Sequence, residues 1–277
     1  MKFSVSICVY DKDNPNYFKE ALESTIFQSL VPNQIVLVVD GAINNELQEV
    51  IDSFKIQSNQ LNVFFDVTYL KENVGHGEAR KISIENAKYE LIALMDADDL
   101  CRYERFFKQV EVFKNNKDVS IVGGQIMEIS HDTKREISMR EVPVENDDIK
   151  EYLKTRCPFN QVSVMFKKED VLQAGNYVDF YHNEDYYLWV RMYLEGFNFY
   201  NIPEILVDVR INEEFYSRRG GWKYFLSEFR LQRIMYKNSI ISFVRFVFNS
   251  SVRFVLQVVL TDTIRGFIFK KLFRKRV

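Results

Sequence analysis

The stretch Glu90-Leu91-Ile92-Ala93-Leu94-Met95-Asp96-Ala97-Asp98-Asp99 runs an apolar segment directly into three carboxylates. With no polar alternation to offer to solvent, the apolar part reads as a strand covered on both faces. In an open α/β sheet, ligands bind outside the carboxyl ends of the strands. Three carboxylates crowded at such an end are costly unless a cation or ligand hydroxyls satisfy them. An Asp-x-Asp pair can hold one hard divalent metal, with phosphate oxygens completing its shell. The competing reading makes these acids the N-cap of a helix starting near Arg102, a task suited to Asp99. Capping leaves the other two acids unexplained, so the segment is taken as a functional site.

The chain around it alternates strands and helices. Further strand candidates are Phe3–Val9, Gln34–Val39, Asn62–Leu70 and Val119–Gln125, beside Glu90–Met95 itself. Helical patterns fill the gaps: Tyr17 to Leu30, Asn45 to Ile56, Glu78 to Ala87 and Arg102 to Lys114. In the first, Phe18, Ala21, Leu22, Ile26 and Leu30 recur at helical spacing, and Pro15 suits an opening turn. This alternation predicts an α/β fold, a Rossmann-like, mostly parallel open sheet flanked by helices. After about residue 128 the rhythm changes. A polar stretch, Ile129 to Asp148, precedes a helix near Ile149–Thr155, a strand near Gln161–Phe166 and a helix from Glu184 to Leu194. An extended run, Asn198 to Val209, and a long helix, Trp222 to Lys237, follow. The second half is expected to extend the same sheet.

Charge divides the chain unevenly. The net charge is −2, but residues 239–277 carry eight basic side chains against the single acid Asp262, leaving the body at −9. An acidic body excludes duplex nucleic acid as its partner, and a basic, apolar tail points to an anionic membrane surface. Between Ser239 and Leu260, Arg245, Asn249, Arg253 and Gln257 recur every four residues as one polar stripe on a helix. The two arginines break the only window apolar enough for a membrane span. An amphipathic helix lying on a membrane, followed by the basic cluster Lys270 to Arg276, is expected. The alternative is a helix packed on the body through its apolar face. Cys8, Cys101 and Cys157 are odd in number and widely spaced, which suggests reduced thiols and a cytoplasmic setting. The apolar run after Met1 is too short for a signal peptide.

Four other segments carry candidate chemistry. Asp40-Gly41 closes the second strand, where an acid can bond a nucleoside base or ribose; Asp-Gly is also an ordinary turn. Asn73-Val74-Gly75-His76-Gly77-Glu78-Ala79-Arg80 opens a helix and suits an anion, with Arg80 adding positive charge. It departs from the dinucleotide fingerprint at Arg80, and no Walker A sequence occurs in the chain. His182-Asn183-Glu184-Asp185-Tyr186-Tyr187-Leu188-Trp189 puts two acids in a first helical turn, which either serve the helix dipole or include a general base. Tyr216-Ser217-Arg218-Arg219-Gly220-Gly221 offers two arginine forks to a diphosphate, or a solvated charge pair.

Taken in order, Cys8-Val9-Tyr10, Val39-Asp40-Gly41, Asn73-Val74-Gly75, Ala79-Arg80, Asp96-Ala97-Asp98-Asp99 and Glu184-Asp185-Tyr186-Tyr187-Leu188-Trp189 resemble glycosyltransferase family 2. These are inverting, nucleotide-sugar-dependent enzymes with the GT-A fold. The resemblance covers most of residues 1–235. Asn160 to Phe166, Trp189 to Met192 and Tyr216 to Gly221 make it most similar to bacterial exopolysaccharide and lipopolysaccharide transferases of the amylovoran-biosynthesis type. It implies a nucleotide-sugar half (1–127), an acceptor half (128–238) and a membrane-associating tail (239–277).

By that resemblance Tyr10 and Asp40 line the base and ribose pocket, while Asn73, Gly77 and Arg80 approach the nucleotide. Asp96 and Ala97 face the ribose or sugar, and Asp98 ligands Mg2+ or Mn2+ on the diphosphate. Arg218 and Arg219 stabilise the leaving group, and Asp185 is the general base. The implied donor is a nucleoside-diphosphate sugar, with a UDP-sugar expected. The implied acceptor is lipid-linked or a growing oligosaccharide, met by a peripheral protein on the inner face of the membrane. Ala42 stands where the family commonly has Pro, Gln161 where relatives tend to show His, and no His follows His182. Two alternatives remain, a sugar-nucleotide nucleotidyltransferase and a non-catalytic membrane-binding module. The turn Asp11 to Asn16 lacks the glycine-rich basic loop the former needs, and intact Asp96, Asp98 and Asp185 speak against the latter.

Overall fold

A strand buried on both faces needs helices above and below it, and the first half of the chain supplies them in alternation. The computed structural model of the chain describes residues 1–211, 220–261 and 264–265, with the backbone of 275–276. Strands β1 (Phe3–Val9), β2 (Gln34–Val39), β3 (Phe64–Tyr69) and β4 (Leu91–Met95) pair in parallel in the order β3-β2-β1-β4. Every residue of β2 is buried, as its apolar run requires. Helices α1 (Pro15–Ile26), α2 (Asn45–Gln60) and α3 (His76–Asn86) connect these strands, and α4 (Arg105–Asn115) follows β4. Pro15 opens α1, and Asn14 Oδ1 caps it by accepting the Asn16 N–H at 2.9 Å. The helix stops at Ile26, yet Leu30 still packs on the core from the loop beyond. Phe18, Leu47, Phe54 and Phe106 from α1, α2 and α4 cover one face of the sheet, while Ile84 of α3 joins Ile92 and Leu94 on the other.

Beyond β4 the sheet becomes mixed. Its further strands are β5 (Leu100–Cys101), β6 (Val119–Ser130), β7 (Glu136–Arg140), β8 (Met165–Lys167) and β9 (Asn198–Ile211). A short hairpin joins β6 to β7 and so forces antiparallel pairing. Strand β8 lies antiparallel between β4 and β6, and β9 runs parallel to β6 but antiparallel to β5. The parallel reading therefore holds for the first four strands, and antiparallel ladders dominate the rest. The segment Gln161–Phe166, read as one strand, divides into a 3-10 turn at Gln161–Ser163 and the short β8. The polar stretch after Ile129 contains β7, whose exposed Glu136 and half-buried Arg140 concealed its strand character. Helices α5 (Asn146–Leu153), α6 (Lys168–Gln173) and α7 (Glu184–Leu194) cover the second face, where Trp189 is fully buried.

At the C-terminal side α8 (Trp222–Lys237) and α9 (Phe243–Phe254) pack together, with the Phe225 and Phe254 rings 5.4 Å apart. A π-helical turn, Val255–Val259, continues α9. The four-residue polar stripe is present but faces the body. Asn249, 4% exposed, donates to Gln232 Oε1 at 2.8 Å and to the Lys154 carbonyl at 3.0 Å. Arg253 pairs with Glu228 at 2.6 Å, and Arg245 with Glu151 at 2.7 Å. Apolar side chains point outward instead, Val244 at 76% and Phe248 at 66% exposure. Both faces hold the helix: Phe246 and Phe254 pack on Phe229, Tyr236 and Phe225 of α8, while partners on α5, α8 and the loop after α5 engage Arg245, Asn249 and Arg253. Among the described residues, no helix is long and apolar enough to cross a membrane. Lys275–Arg276 form β10, antiparallel to β7; the rest of the basic cluster lies outside the described residues.

Candidate active site

The carboxyl ends of β1, β2 and β4 open onto one edge of the sheet, where such folds bind ligands. Asp40, just beyond β2, is buried with both carboxylate oxygens engaged: Oδ1 accepts the Val74 N–H at 2.7 Å and Oδ2 the Gly75 N–H at 3.1 Å. Asn73 Nδ2 donates back to the Asp40 carbonyl at 3.3 Å. Asp40 therefore shapes the loop that opens α3. Gly41 is required beside it, because φ is +89° and a Cβ would lie 2.9 Å from the Asn73 nitrogen. Tyr10, at the end of β1, is exposed, and its N–H donates to Asp13 Oδ2 at 2.9 Å.

Gly77, in the first turn of α3, faces Glu184 in the first turn of α7, where an added Cβ would make ordinary contact at 3.8 Å. One turn on, Arg80, 3% exposed, lies between two acids. Its Nη1 donates to Asp185 Oδ1 and its Nη2 to Asp96 Oδ1, each at 3.0 Å. The guanidinium also touches His76 Nε2 and lies 5.4 Å from the centre of the Tyr177 ring. With its amide turned to satisfy both neighbours, the Gln161 side-chain oxygen accepts from Arg80 at 2.7 and 2.8 Å. The Arg80 charge and burial push His76 down to about 4, so the imidazole is neutral at pH 7.

The acids differ in their surroundings. Burial raises Asp185 to about 7, outweighing the opposing charge of Arg80. Burial and then Asp96 raise Asp98 to about 6, against Arg210 and His131. Asp13 rises to about 7, mainly by burial, with Asp98 and Asp96 adding to it. Asp99 does not cap α4, which begins at Arg105 after Glu104. Its Oδ1 accepts the Arg210 N–H at 2.9 Å, pinning the strand-end loop to β9. The Arg210 side chain reaches the Asp98 carbonyl and Glu20, and stacks 4.6 Å over Tyr17. Among the described residues no group of three or more His, Cys, Asp or Glu is arranged to hold a metal. Asp96 repels the Asp98 carboxyl, and oxygens of that kind suit a hard cation whose other ligands come from outside the protein.

A cleft of about 520 Å³ runs from Asp96 and Asp185 past Gln161 and His182 to the inward face of α9. His182 holds a left-handed backbone (φ 56°) and its ring lies 4.4 Å from that of Tyr181. Ala97 is buried between the two acids of its motif. Tyr10, Asp40, Asn73, Gly77, Arg80 and Asp98 stand outside the lining of this cleft, at the sheet edge. Arg218 and Arg219 lie outside the described residues. Asp13 and His76 were missed although both sit in segments read for other reasons. Gln161 was noted only as a departure, and Arg210 had no local signal at all.

A twisted sheet with this edge, flanked by helices on both faces, defines the GT-A architecture of sugar-nucleotide transferases. The structure superimposes on that of S. aureus TarS in complex with UDP-GlcNAc with a TM-score of 0.66, covering 98% of this chain and 76% of that one at 15% identity. The profile described as Glycosyl transferase family 2 matches residues 4–173, and the chain belongs to that family. It is 35% identical to the Escherichia coli UDP-Gal:alpha-D-GlcNAc-diphosphoundecaprenol beta-1,3-galactosyltransferase, over 99% of this chain and 97% of that one. It is 33% identical to the amylovoran biosynthesis glycosyltransferase AmsE of Erwinia amylovora, over 84% of this chain and 85% of that one.

Proposed function

We propose that this glycosyltransferase moves a hexose from a UDP-sugar to a lipid-linked sugar diphosphate, with inversion, during assembly of a cell-surface polysaccharide. The observation that carries the reading is the Asp96–Arg80–Asp185 bridge, which ties the strand-end acids to the acid of α7, both acids lining the cleft. The names of the Escherichia coli and Erwinia amylovora relatives support the substrate class, and the TarS complex supports a UDP-sugar. Tyr10, Asp40, Asn73, Gly77, Arg80, Asp96 and Ala97 are assigned to the donor, and Asp40 also holds the loop at Val74 and Gly75. A divalent cation, Mg2+ or Mn2+, held by Asp98 would neutralise charge on the leaving diphosphate.

Asp185 accepts the proton of the acceptor hydroxyl. That oxygen attacks the anomeric carbon as the bond to the diphosphate breaks, and a single displacement inverts the configuration. Oδ1 of Asp185 is engaged by Arg80, and burial holds the carboxyl near 7, suited to a general base. The outward apolar face of α9, with exposed Trp222 and Leu226 of α8, and the basic C-terminal segment are assigned to an anionic membrane surface. The test is incubation with UDP-galactose or UDP-N-acetylglucosamine, Mn2+ and N-acetylglucosamine diphosphate on a long alkyl chain. A β-linked disaccharide in the NMR spectrum is expected; absence of transfer with every UDP-sugar would overturn the reading.

A further inference from the structure

The loop from Asp96 to Asp99 is anchored at both ends. Strand β4, which leads into it, pairs with β1. Strand β5, which leaves it, pairs antiparallel with β9, Leu100 opposite Asp208 and Cys101 opposite Val207. Further along β9, Arg210 grips the loop itself. Its N–H donates to Asp99 Oδ1 at 2.9 Å, and its Nη1 donates to the Asp98 carbonyl. The Arg210 side chain is buried over the Tyr17 ring, 4.6 Å from its centre, and its Nη2 pairs with Glu20 Oε2. Glu20 Oε1 accepts from Lys134 at 2.8 Å, and the Tyr17 hydroxyl lies 3.3 Å from His131 Nδ1. Helix α1, the turn between β6 and β7, and the end of β9 thus meet around one guanidinium.

A buried cation is costly unless it is paired and hydrogen-bonded. Glu20 supplies the opposite charge, and another donor of Arg210 is given to the main chain of the residue assigned to the cation. These bonds go to the Asp98 carbonyl and to Asp99, so they do not consume the Asp98 carboxylate. We infer that Arg210 is a positioning residue: it fixes the Asp98 backbone and, through it, the carboxylate proposed to hold the divalent cation, with Glu20 setting the guanidinium. This rests on the proposed cation at Asp98. Groups that orient a metal's ligands by hydrogen bonding typically alter its affinity by about 10- to 100-fold, because a ligand held in place needs no reordering when the ion arrives.

The test is calorimetric titration of UDP into the full chain with and without Mn2+, read as the ratio of the two dissociation constants. In Arg210→Gln that ratio is expected to shrink by roughly 10-fold, while UDP still binds without Mn2+. Adding Arg210→Gln to Asp98→Asn should shrink it no further, because a residue acting through Asp98 then has nothing left to act on. An unchanged ratio in Arg210→Gln, or a further fall in the double variant, would overturn the role and leave Asp98 as the ligand. If Arg210→Gln does not fold, Glu20→Ala, at a half-buried site, carries the same comparison with the same two outcomes. Wild-type UDP binding that ignores Mn2+ would remove the cation and this role together, and the transferase reading would then be decided by its own product assay.

Discussion

Arg80 and Asp185 lie 3.0 Å apart, Nη1 to Oδ1, although 105 positions separate them in the chain. The other arm of the same guanidinium holds Asp96 at the same distance. One buried cation thus joins the strand-end motif to the helix that carries the proposed base. Removing it would leave two carboxylates partly buried without their partner, and that consequence can be measured.

Arg80→Met is expected to lower stability by about 3–5 kcal/mol, the range found when one member of a buried ion pair is deleted. For a chain of this size that corresponds to a fall in thermal midpoint of roughly 6–20 °C. A midpoint within about 2 °C of wild type would mean that the bridge contributes little to the fold.

Asp185→Asn should lower kcat/KM by roughly 100-fold or more while the UDP-sugar still binds, as removal of a general base requires. In the wild type, kcat/KM should rise with pH and level off above about 7, because the base acts only when ionised and its carboxyl is held there by burial. A rate that is flat between pH 5 and pH 8 would assign the proton to another group.

Asp13 gives a stability test with a definite sign. Its pKa is raised on folding from 3.8 to about 7, so the ionised form is disfavoured in the folded chain. Stability attributable to this group is therefore lost as pH climbs through that window. Asp13→Asn, which keeps an acceptor for the Tyr10 N–H, should raise the thermal midpoint by roughly 2–6 °C at pH 8 and leave it unaltered near pH 4. A stabilisation of equal size at both values would rule out the electrostatic cause.

Calorimetric titration of the UDP-sugar with and without Mn2+ addresses Asp98. The cation should tighten binding in the wild type, and Asp98→Asn should lose that gain by roughly 10-fold or more. Equal Mn2+ dependence in both proteins would remove Asp98 as the ligand.

The outer face of α9 can be probed without touching the cleft. Val244→Glu with Val259→Glu should reduce partition onto vesicles rich in anionic lipid by at least about 10-fold, judged from the burial of a single valine. Deleting residues 239–277 would be a poorer test, since α9 also forms a wall of the cleft. Undiminished co-sedimentation of the double variant with lipid would assign membrane contact to other residues.

Much of the architecture follows from local pattern. Strands β1 and β2 begin and end where their sequences place them, and α7 and α8 span Glu184–Leu194 and Trp222–Lys237 as their sequences indicate. Strand β7 was not legible, because a half-exposed polar strand lacks the apolar run that marks a buried one. Asp99 was read as a cap because capping is a local habit of that residue type, whereas its partner, Arg210, arrives from a strand 111 positions away.

What the amino-acid order determined by itself was the alternation of elements, the family, and the acids of the strand ends and of α7. Those depend on side-chain type and spacing over a few residues. The tertiary structure alone decided the partners: Asp40 turned to the loop before α3, Arg80 between Asp96 and Asp185, and the polar stripe of α9 facing the body. A helix with one polar stripe is amphipathic whichever face it buries. Only the presence of Glu228, Gln232 and the Lys154 carbonyl, offering hydrogen bonds at the right height, made the polar face the inner one.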